Sequence, residues 1–348
     1  MVRLKDIAQK IGVSVMTVSK ALRDEPDVSA ATRSRIKHLA QQMGYVPDST
    51  AQGLRSRTTK LLGIAIPSIT NPIYARVFFA IEEKARDLGY DLLLAHTQSL
   101  PEREEFCIRR FLSRRVDGLF IAPVYRLDPE SRIYQELLAR QTPTILLGPP
   151  APFCKSFMSV EIEELVASYT VTQHLLKLGH KRIAYLTGPT VAPWAQERLE
   201  GYRRALREAN LDVDDRLIFP AGTTVEDGAK ATLQMLNEAC NATAIQAVND
   251  LVAVGCAETL MSQGLRIPDD VSVAGFGNVM VAEHFRVPLT TIRQPKYRLG
   301  VAAVDAMMQL LKGQRPETKR LTAELIERKS TAPPNAASPK AAAEAKPV

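Results

Sequence analysis

The chain has 348 residues, a formal net charge of +7 and 45% hydrophobic residues, enough for two or three domains that each bury a core. It opens with no basic-then-apolar segment and holds no uninterrupted apolar stretch of the roughly 20 residues a membrane span needs. Secretion and a membrane span are therefore not expected, and a cytoplasmic protein is.

Leu4, Ile7, Ala8 and Ile11 recur at helical spacing, which predicts a short amphipathic helix that needs a partner for its apolar stripe. Gly12 can end it. Ser14 is placed to cap a second helix by accepting from the free amides of its first turn. In that helix Val18, Ala21 and Leu22 share one face, while Met16 and Lys20 point the opposite way with Val15, Thr17 and Ser19 on the flanks. A third helix is predicted from Ser29 to Met43, with Ser29 as N-cap and Gly44 as its stop. Up to residue 60 there are 11 Lys or Arg against 5 Asp or Glu, 11 − 5 = +6, so residues 61–348 carry only 7 − 6 = +1. Positive charge gathered on a small helix-turn-helix is the electrostatic footprint of a polyanion binder. An outward Met beside a Lys, framed by hydroxyl residues, suits a helix set into the major groove of DNA. The plain alternative is a solvated helical bundle ahead of something larger.

From Leu61 the pattern changes. Strands are predicted at 62–67, 91–95, 118–122 and 144–147, with helices near 73–88, 102–114 and 129–140. This is a repeated βα order that makes a parallel, doubly wound sheet. A second set follows, with a helix up to Leu178, strands at 182–187, 244–248 and 272–276, and helices near 197–209, 225–238 and 250–263. Two α/β lobes leave a cleft between them. Residues 331–348 are rich in Ala, Pro and Lys without apolar periodicity and are expected to be a disordered tail.

Lys5-Asp6-Ile7-Ala8, Gly12-Val13-Ser14, Thr17-Val18-Ser19, Gly44-Tyr45-x-Pro47 and Leu54-Arg55 stand in order, followed by Asn71-Pro72, Arg115-Val116-Asp117-Gly118, Leu178-Gly179-His180, Arg198-Leu199-Glu200-Gly201-Tyr202, Asn249-Asp250 and Pro288-Leu289-Thr290-Thr291. On these motifs the chain resembles the lactose/galactose repressor family of bacterial transcription regulators along nearly its whole length. The resemblance implies an all-α helix-turn-helix domain at 1–46 and a hinge helix at 47–60. It also implies a two-lobed α/β core like that of periplasmic binding proteins at 61–330, its lobes being about 61–161 with 293–320 and 162–291 with 321–330. Three crossings between the lobes would fall near 160–164, 290–294 and 321. The implied partners are pseudo-palindromic operator DNA, a small-molecule effector and a second copy of the chain in a homodimer; no cofactor is implied. The candidate DNA-facing residues are Ser14, Val15, Met16, Thr17, Ser19, Lys20, Thr32, Tyr45, Leu54 and Arg55.

In such folds a ligand sits at the carboxyl ends of the strands. The candidate effector residues are Asn71, Tyr74, Trp194, Arg198, Thr223, Asn249 and Asp250. Arg198 leads because a guanidinium presents a rigid fork to hydroxyls, carboxylates or phosphates; its plain alternative is a surface ion pair with Glu197 or Glu200. Trp194 can stack on a sugar ring or fill an apolar gap, and Asp250 can bind ligand or cap a helix. The chain departs from the family pattern at three places: Gly277 stands where relatives tend to carry Asp, Glu163-Glu164 where Asp-Asn is usual, and Gly148-Pro149-Pro150 where many have Asp-Arg. The cleft is thus retuned, or the regulator is blind to ligand.

An exported solute-binding protein would share the core but would have no use for residues 1–46. An enzyme would need a nucleophile with a base, a phosphate loop or a metal cluster, and the five histidines show no ligand spacing. Cys107, Cys154, Cys240 and Cys256 form no Cys-x-x-Cys pair and are expected to be reduced, buried thiols.

In the resembling proteins the hinge helix wedges a leucine into the minor groove, and Leu54 matches it. An apolar wedge unstacks a base step and bends the duplex, a cost offset by added protein contact. Gly53 makes helix formation less favourable by about 1 kcal/mol. Leu54→Ala is therefore expected to reduce operator bending and affinity, and Gly53→Ala to raise affinity. Fluorescence anisotropy at one stated salt concentration measures both. Parent-like binding by both variants would remove the wedge.

Overall fold

The computed structural model describes residues 2–46, 58–238 and 241–335. Two compact units divide at Thr59/Lys60. Pro47, Gly53, Leu54, Arg55 and Cys240, with residues 47–57 of the predicted hinge, lie outside the described residues.

Among its described residues the first unit holds three helices, α1 (Leu4–Ile11), α2 (Val15–Leu22) and α3 (Ala30–Gln42). Its core is Ile7, Ala8, Val18, Ala21, Val28, Ile36 and Ala40, with Leu4, Ile11, Leu22, Leu39 and Met43 packed around it. The stops and caps are those the sequence predicts. Gly12 adopts φ 76° and its amide donates to the Ala8 carbonyl, which turns the chain sharply enough for α2 to start three residues later. Ser14 Oγ accepts from the Thr17 amide at 3.0 Å, and Ser29 Oγ from that of Thr32.

Among its described residues the second unit carries two parallel sheets. The first is ordered β11-β5-β4-β3-β1-β2, from β1 (Leu61–Ile66), β2 (Asp91–His96), β3 (Gly118–Ile121), β4 (Thr144–Leu147), β5 (Met158–Ile162) and β11 (Lys319–Leu321). Helices α4 (Pro72–Asp87), α5 (Pro101–Ser113), α6 (Arg132–Ala139) and α12 (Lys296–Leu311) cover it. Alternate strand residues enter opposite cores: Leu62, Ile64, Phe120 and Ile145 on one face, Ala65, Leu119, Ile121 and Leu146 on the other. With both faces buried, the strands read as continuous apolar runs.

The second sheet is ordered β7-β6-β8-β9, from β6 (Ile183–Thr187), β7 (Ile218–Pro220), β8 (Ala244–Ala247) and β9 (Ser272–Ala274). Around it lie α7 (Glu164–Lys177), α8 (Pro193–Glu208), α9 (Val225–Asn237), α10 (Asp250–Ser262) and the short α11 (Met280–His284). β10 (Thr291–Arg293) pairs antiparallel with β12 (Glu324–Ile326). The chain passes between the sheets after β5, after β10 and after β11. No described helix is long and apolar enough to cross a membrane.

The structure differs from the sequence-based expectation at several elements. β5, β7, β10, β11, β12 and the helices α11 and α12 were not predicted. β5 alternates apolar and polar residues as a half-buried strand would, yet Ser159 and Glu161 are buried as well, and β7, β10, β11 and β12 offer only three residues each to read. Thr331 does not begin a disordered tail. Its hydroxyl lies 2.9 Å from that of Thr290 and 3.0 Å from His174 Nε2, the Ala332 amide donates to Ser272 Oγ, and His180 Nε2 donates to the Ala332 carbonyl. Residues 336–348 lie outside the described residues. Cys107, Cys154 and Cys256 are free and buried.

α9 and α10 approach closely at two reciprocal glycines. A Cβ on Gly255 would stand 1.9 Å from the Val225 carbonyl oxygen, and one on Gly228 would stand 2.3 Å from that of Val252. Either methyl must push the helices apart in a close-packed layer. Gly255→Ala is expected to lower stability by roughly 3 kcal/mol, measured by urea denaturation of the full chain. A loss below about 0.5 kcal/mol, the range of a neutral surface change, would show that the pair separates freely.

Candidate functional site

On α2 the outward row is as the sequence predicts, with Val15 44% and Met16 54% exposed. The neighbouring polar groups are engaged within the unit. Ser14 Oγ lies 2.9 Å from Thr17 Oγ1, Thr32 Oγ1 accepts from Ser29 Oγ, and the Ser19 carbonyl accepts from Arg23 Nε. Lys20 is not free: its ammonium pairs with the Asp27 carboxylate, which raises the lysine above its ordinary range and holds the aspartate below its own. Both groups are exposed enough for a phosphate or base edge to compete for the lysine. Tyr45 packs, partly buried, against the three-helix core.

In the second unit a cavity of about 430 Å³ opens between the carboxyl ends of the two sheets. Six of the seven candidate effector residues line it: Asn71 and Tyr74 from the first lobe, and Trp194, Arg198, Thr223 and Asn249 from the second. Asn71 caps α4, accepting from the Ile73 amide at 3.0 Å. Asn249 caps α10, accepting from Val252 at 2.8 Å and donating to the Thr223 carbonyl at 3.0 Å, so it fixes the Thr223 loop. Burial among the cavity walls pushes the Tyr74 phenol up to about 12, opposed by Arg198. It remains a neutral donor at any physiological pH.

Arg198 is only 6% exposed. It projects from the face of α8 that also carries Ala195, Gly201 and Tyr202. Nε donates to Glu164 Oε2 at 2.7 Å and Nη1 to the Val248 carbonyl at 2.6 Å. The guanidinium carbon lies 3.7 Å from the Phe276 ring centroid and 4.8 Å from that of Trp194. The surface pair with Glu197 or Glu200 is thereby corrected: the partner is Glu164, 34 residues away and 5% exposed. Trp194 lines the cavity and packs against the second-lobe core, which is its apolar-gap reading.

Asp250 is a correction. It does not line the cavity, and Asn249 rather than Asp250 caps the helix. Its carboxylate, 1% exposed, accepts from Thr291 Oγ1 at 2.5 Å and from the Val279 amide at 2.8 Å. Burial pushes its pKa up. It fastens the 277–279 turn to β10. Gly277 sits in that turn at φ 139°, and a Cβ there would meet Asp250 Oδ2 at 3.2 Å and Ile73 Cδ1 at 3.3 Å. A carboxylate at 277 would be crowded against the buried one. Its backbone is also held, the amide donating to the Ile292 carbonyl and the carbonyl accepting from Lys296 Nζ at 2.6 Å.

Glu164, Tyr125, Phe276 and Gln294 also line the cavity and were not among the candidates. Glu164 stood out only as a departure from the family pattern, and nothing nearby in sequence marks its partner. Gly148 and Pro149 line the wall as well, and the Pro149 carbonyl accepts from the Tyr125 hydroxyl at 2.8 Å. That side of the cleft therefore offers no charge.

Residues 3–48 match the profile of the bacterial regulatory proteins, lacI family, and residues 172–331 match that of the periplasmic binding protein-like domain. The chain is 32% identical over 336 residues to the HTH-type transcriptional repressor PurR of Photobacterium profundum, covering 95% of this chain and 98% of that protein. Its fold is similar to the Lac repressor dimer bound to operator and the anti-inducer ONPF, with TM-score 0.85, 29% identity, and 95% of this chain and 99% of the other covered. It is also similar to the complex of the regulator CelR with cellobiose, with TM-score 0.72, 28% identity, and 95% and 100% covered. A helix-turn-helix unit with an outward-facing second helix, a two-sheet core and likeness over the full length agree: the chain belongs to the LacI family of DNA-binding bacterial transcription regulators.

Proposed function

We propose that the chain is a cytoplasmic repressor, not an enzyme, that binds a pseudo-palindromic operator as a homodimer and whose operator affinity is set by a small polar metabolite, a sugar or sugar derivative, held between the lobes. The observation that carries the effector reading is the cavity itself. Its walls combine rings at Tyr74, Trp194 and Phe276 with hydrogen-bonding groups at Asn71, Thr223, Asn249 and Gln294, a combination that suits the apolar faces and hydroxyl rims of a sugar. The cellobiose complex of CelR supports it.

On DNA, Val15 and Met16 meet thymine methyls or ring edges, Lys20 leaves Asp27 for guanine acceptors, and the hydroxyls of Ser14, Thr17, Ser19 and Thr32, with Tyr45, serve the phosphates. Leu54 and Arg55 act from the hinge. In the core, ligand binding shifts the closure of the lobes and, through Leu61 and the hinge, the spacing of the DNA-reading heads. A ligand moves this equilibrium only by its differential affinity for the two arrangements.

Selection from a random DNA pool is expected to return a pseudo-palindrome, and Lys20→Ala to relax one base position per half-site with a loss of roughly tenfold or more in affinity. Asp27→Asn, which releases the lysine, is expected to tighten binding. A non-palindromic preference would overturn the dimer reading.

The effector reading is tested by a thermal-shift screen of the full chain against sugars, where a ligand at about 100 times its Kd adds roughly 2.7 kcal/mol of stability. Replacing both members of the buried pair, Arg198→Leu with Glu164→Leu, leaves no lone buried charge. It is expected to abolish the sugar response while operator binding without sugar persists. A double variant that still responds like the parent would place the ligand elsewhere.

A further inference from the structure

We propose that Glu164 sets the charge class of ligand this cleft accepts: its carboxylate neutralises Arg198 inside the cavity, so the site takes an uncharged, hydroxyl-bearing ligand and rejects anions. This rests on the reading of the cleft as an effector site and narrows it, since Arg198 alone would favour sugar acids and phosphates as readily as sugars.

Glu164 and Arg198 are the only charged side chains among the described residues that line the cavity, so its walls carry no net charge. Two guanidinium nitrogens are occupied, Nε by Glu164 and Nη1 by the Val248 carbonyl. Phe276 and Trp194 lie against the guanidinium. Among the described residues Nη2 has no hydrogen-bond partner, and neither has Glu164 Oε1. A ligand reaching this pair therefore finds one donor beside one acceptor, the complement of a hydroxyl, which can accept from Nη2 and donate to Oε1. A carboxylate or phosphate could use the donor but would stand within a few ångströms of a fixed like charge in a poorly hydrated wall, where repulsion is weakly screened.

The first turn of α7 keeps the carboxylate in place. Glu164 is its first residue, where negative charge is favoured by the helix dipole. The helix is pinned to α8 by the Ser168 hydroxyl donating to the Arg198 carbonyl at 2.6 Å.

The test uses the full-length protein and inorganic phosphate, with glucose and glucuronate as a matched neutral and anionic pair, followed by calorimetry and thermal denaturation. The unmodified protein is expected to give no response to phosphate and to disfavour glucuronate relative to glucose. Glu164→Gln keeps the size and an acceptor but removes the charge, and it is expected to bind phosphate at least tenfold more tightly than the parent. Glu164→Asp, which restores the charge, is expected to reject phosphate, and the gain is expected to vanish in Glu164→Gln with Arg198→Gln. Phosphate binding by the parent equal to that of Glu164→Gln, or no gain in Glu164→Gln, overturns the proposal. Should Glu164→Gln fail to fold, the unmodified protein and Glu164→Asp decide: stabilisation of either by phosphate overturns it, and refusal by both supports it. Phosphate gained by Glu164→Gln reports the charge of the cavity whether or not any ligand alters operator affinity. A neutral sugar that binds without moving operator affinity would strike the regulatory reading alone.

Discussion

The guanidinium of Arg198 is buried in the wall of a cavity, and that burial dictates what surrounds it. A charge taken out of water needs a partner and saturated hydrogen bonds, or it destabilises the fold. Here the partner is Glu164 at 2.7 Å, with the Val248 carbonyl at 2.6 Å and the ring of Phe276 at 3.7 Å. Three segments far apart in sequence, the start of α7, the end of β8 and the turn after β9, are thereby drawn to one point. Removing either charge alone would strand the other, so the pair is both a structural tie and the polar centre of the cleft.

The scaffold makes that point possible. Parallel strands deliver their following loops to one end of each sheet: Asn71 after β1, Trp194 after β6, Thr223 after β7, Asn249 after β8 and Phe276 after β9. Polar side chains at the cleft also hold these loops. Asn71 and Asn249 cap helices, and Asp250 braces the 277–279 turn against β10. The cavity these loops border is lined by rings from both lobes, Tyr74 on one and Trp194 and Phe276 on the other.

Much of this was legible in the sequence. Gly12, Ser14 and Ser29 announced the stops and caps of the three small helices because those residues act through their own backbone neighbours. Strands β1, β3, β4, β6, β8 and β9 were legible as apolar runs, whereas β5, with buried Ser159 and Glu161 between its apolar residues, was not. What depends on distant partners was not. Asp250 reads as ligand or cap, and only the fold shows its carboxylate turned toward Val279 and Thr291. Glu164 reads as an irregularity because its partner comes 34 residues later. The three-residue strands β7, β10, β11 and β12 are too short to carry a period, and Thr331 with Ala332 look like the start of a polar tail until His174, His180 and Ser272 are found beside them.

Coupling between ligand and DNA must be reciprocal. The most direct test is to titrate a neutral sugar that binds the cleft into the free protein and into the operator-bound protein, at one salt concentration, and to compare the two affinities. A regulator whose lobes transmit ligand binding to the DNA-reading heads gives affinities that differ, by the same factor with which saturating sugar changes operator affinity. Equal affinities in the two titrations, with operator affinity unmoved by saturating sugar, would contradict it.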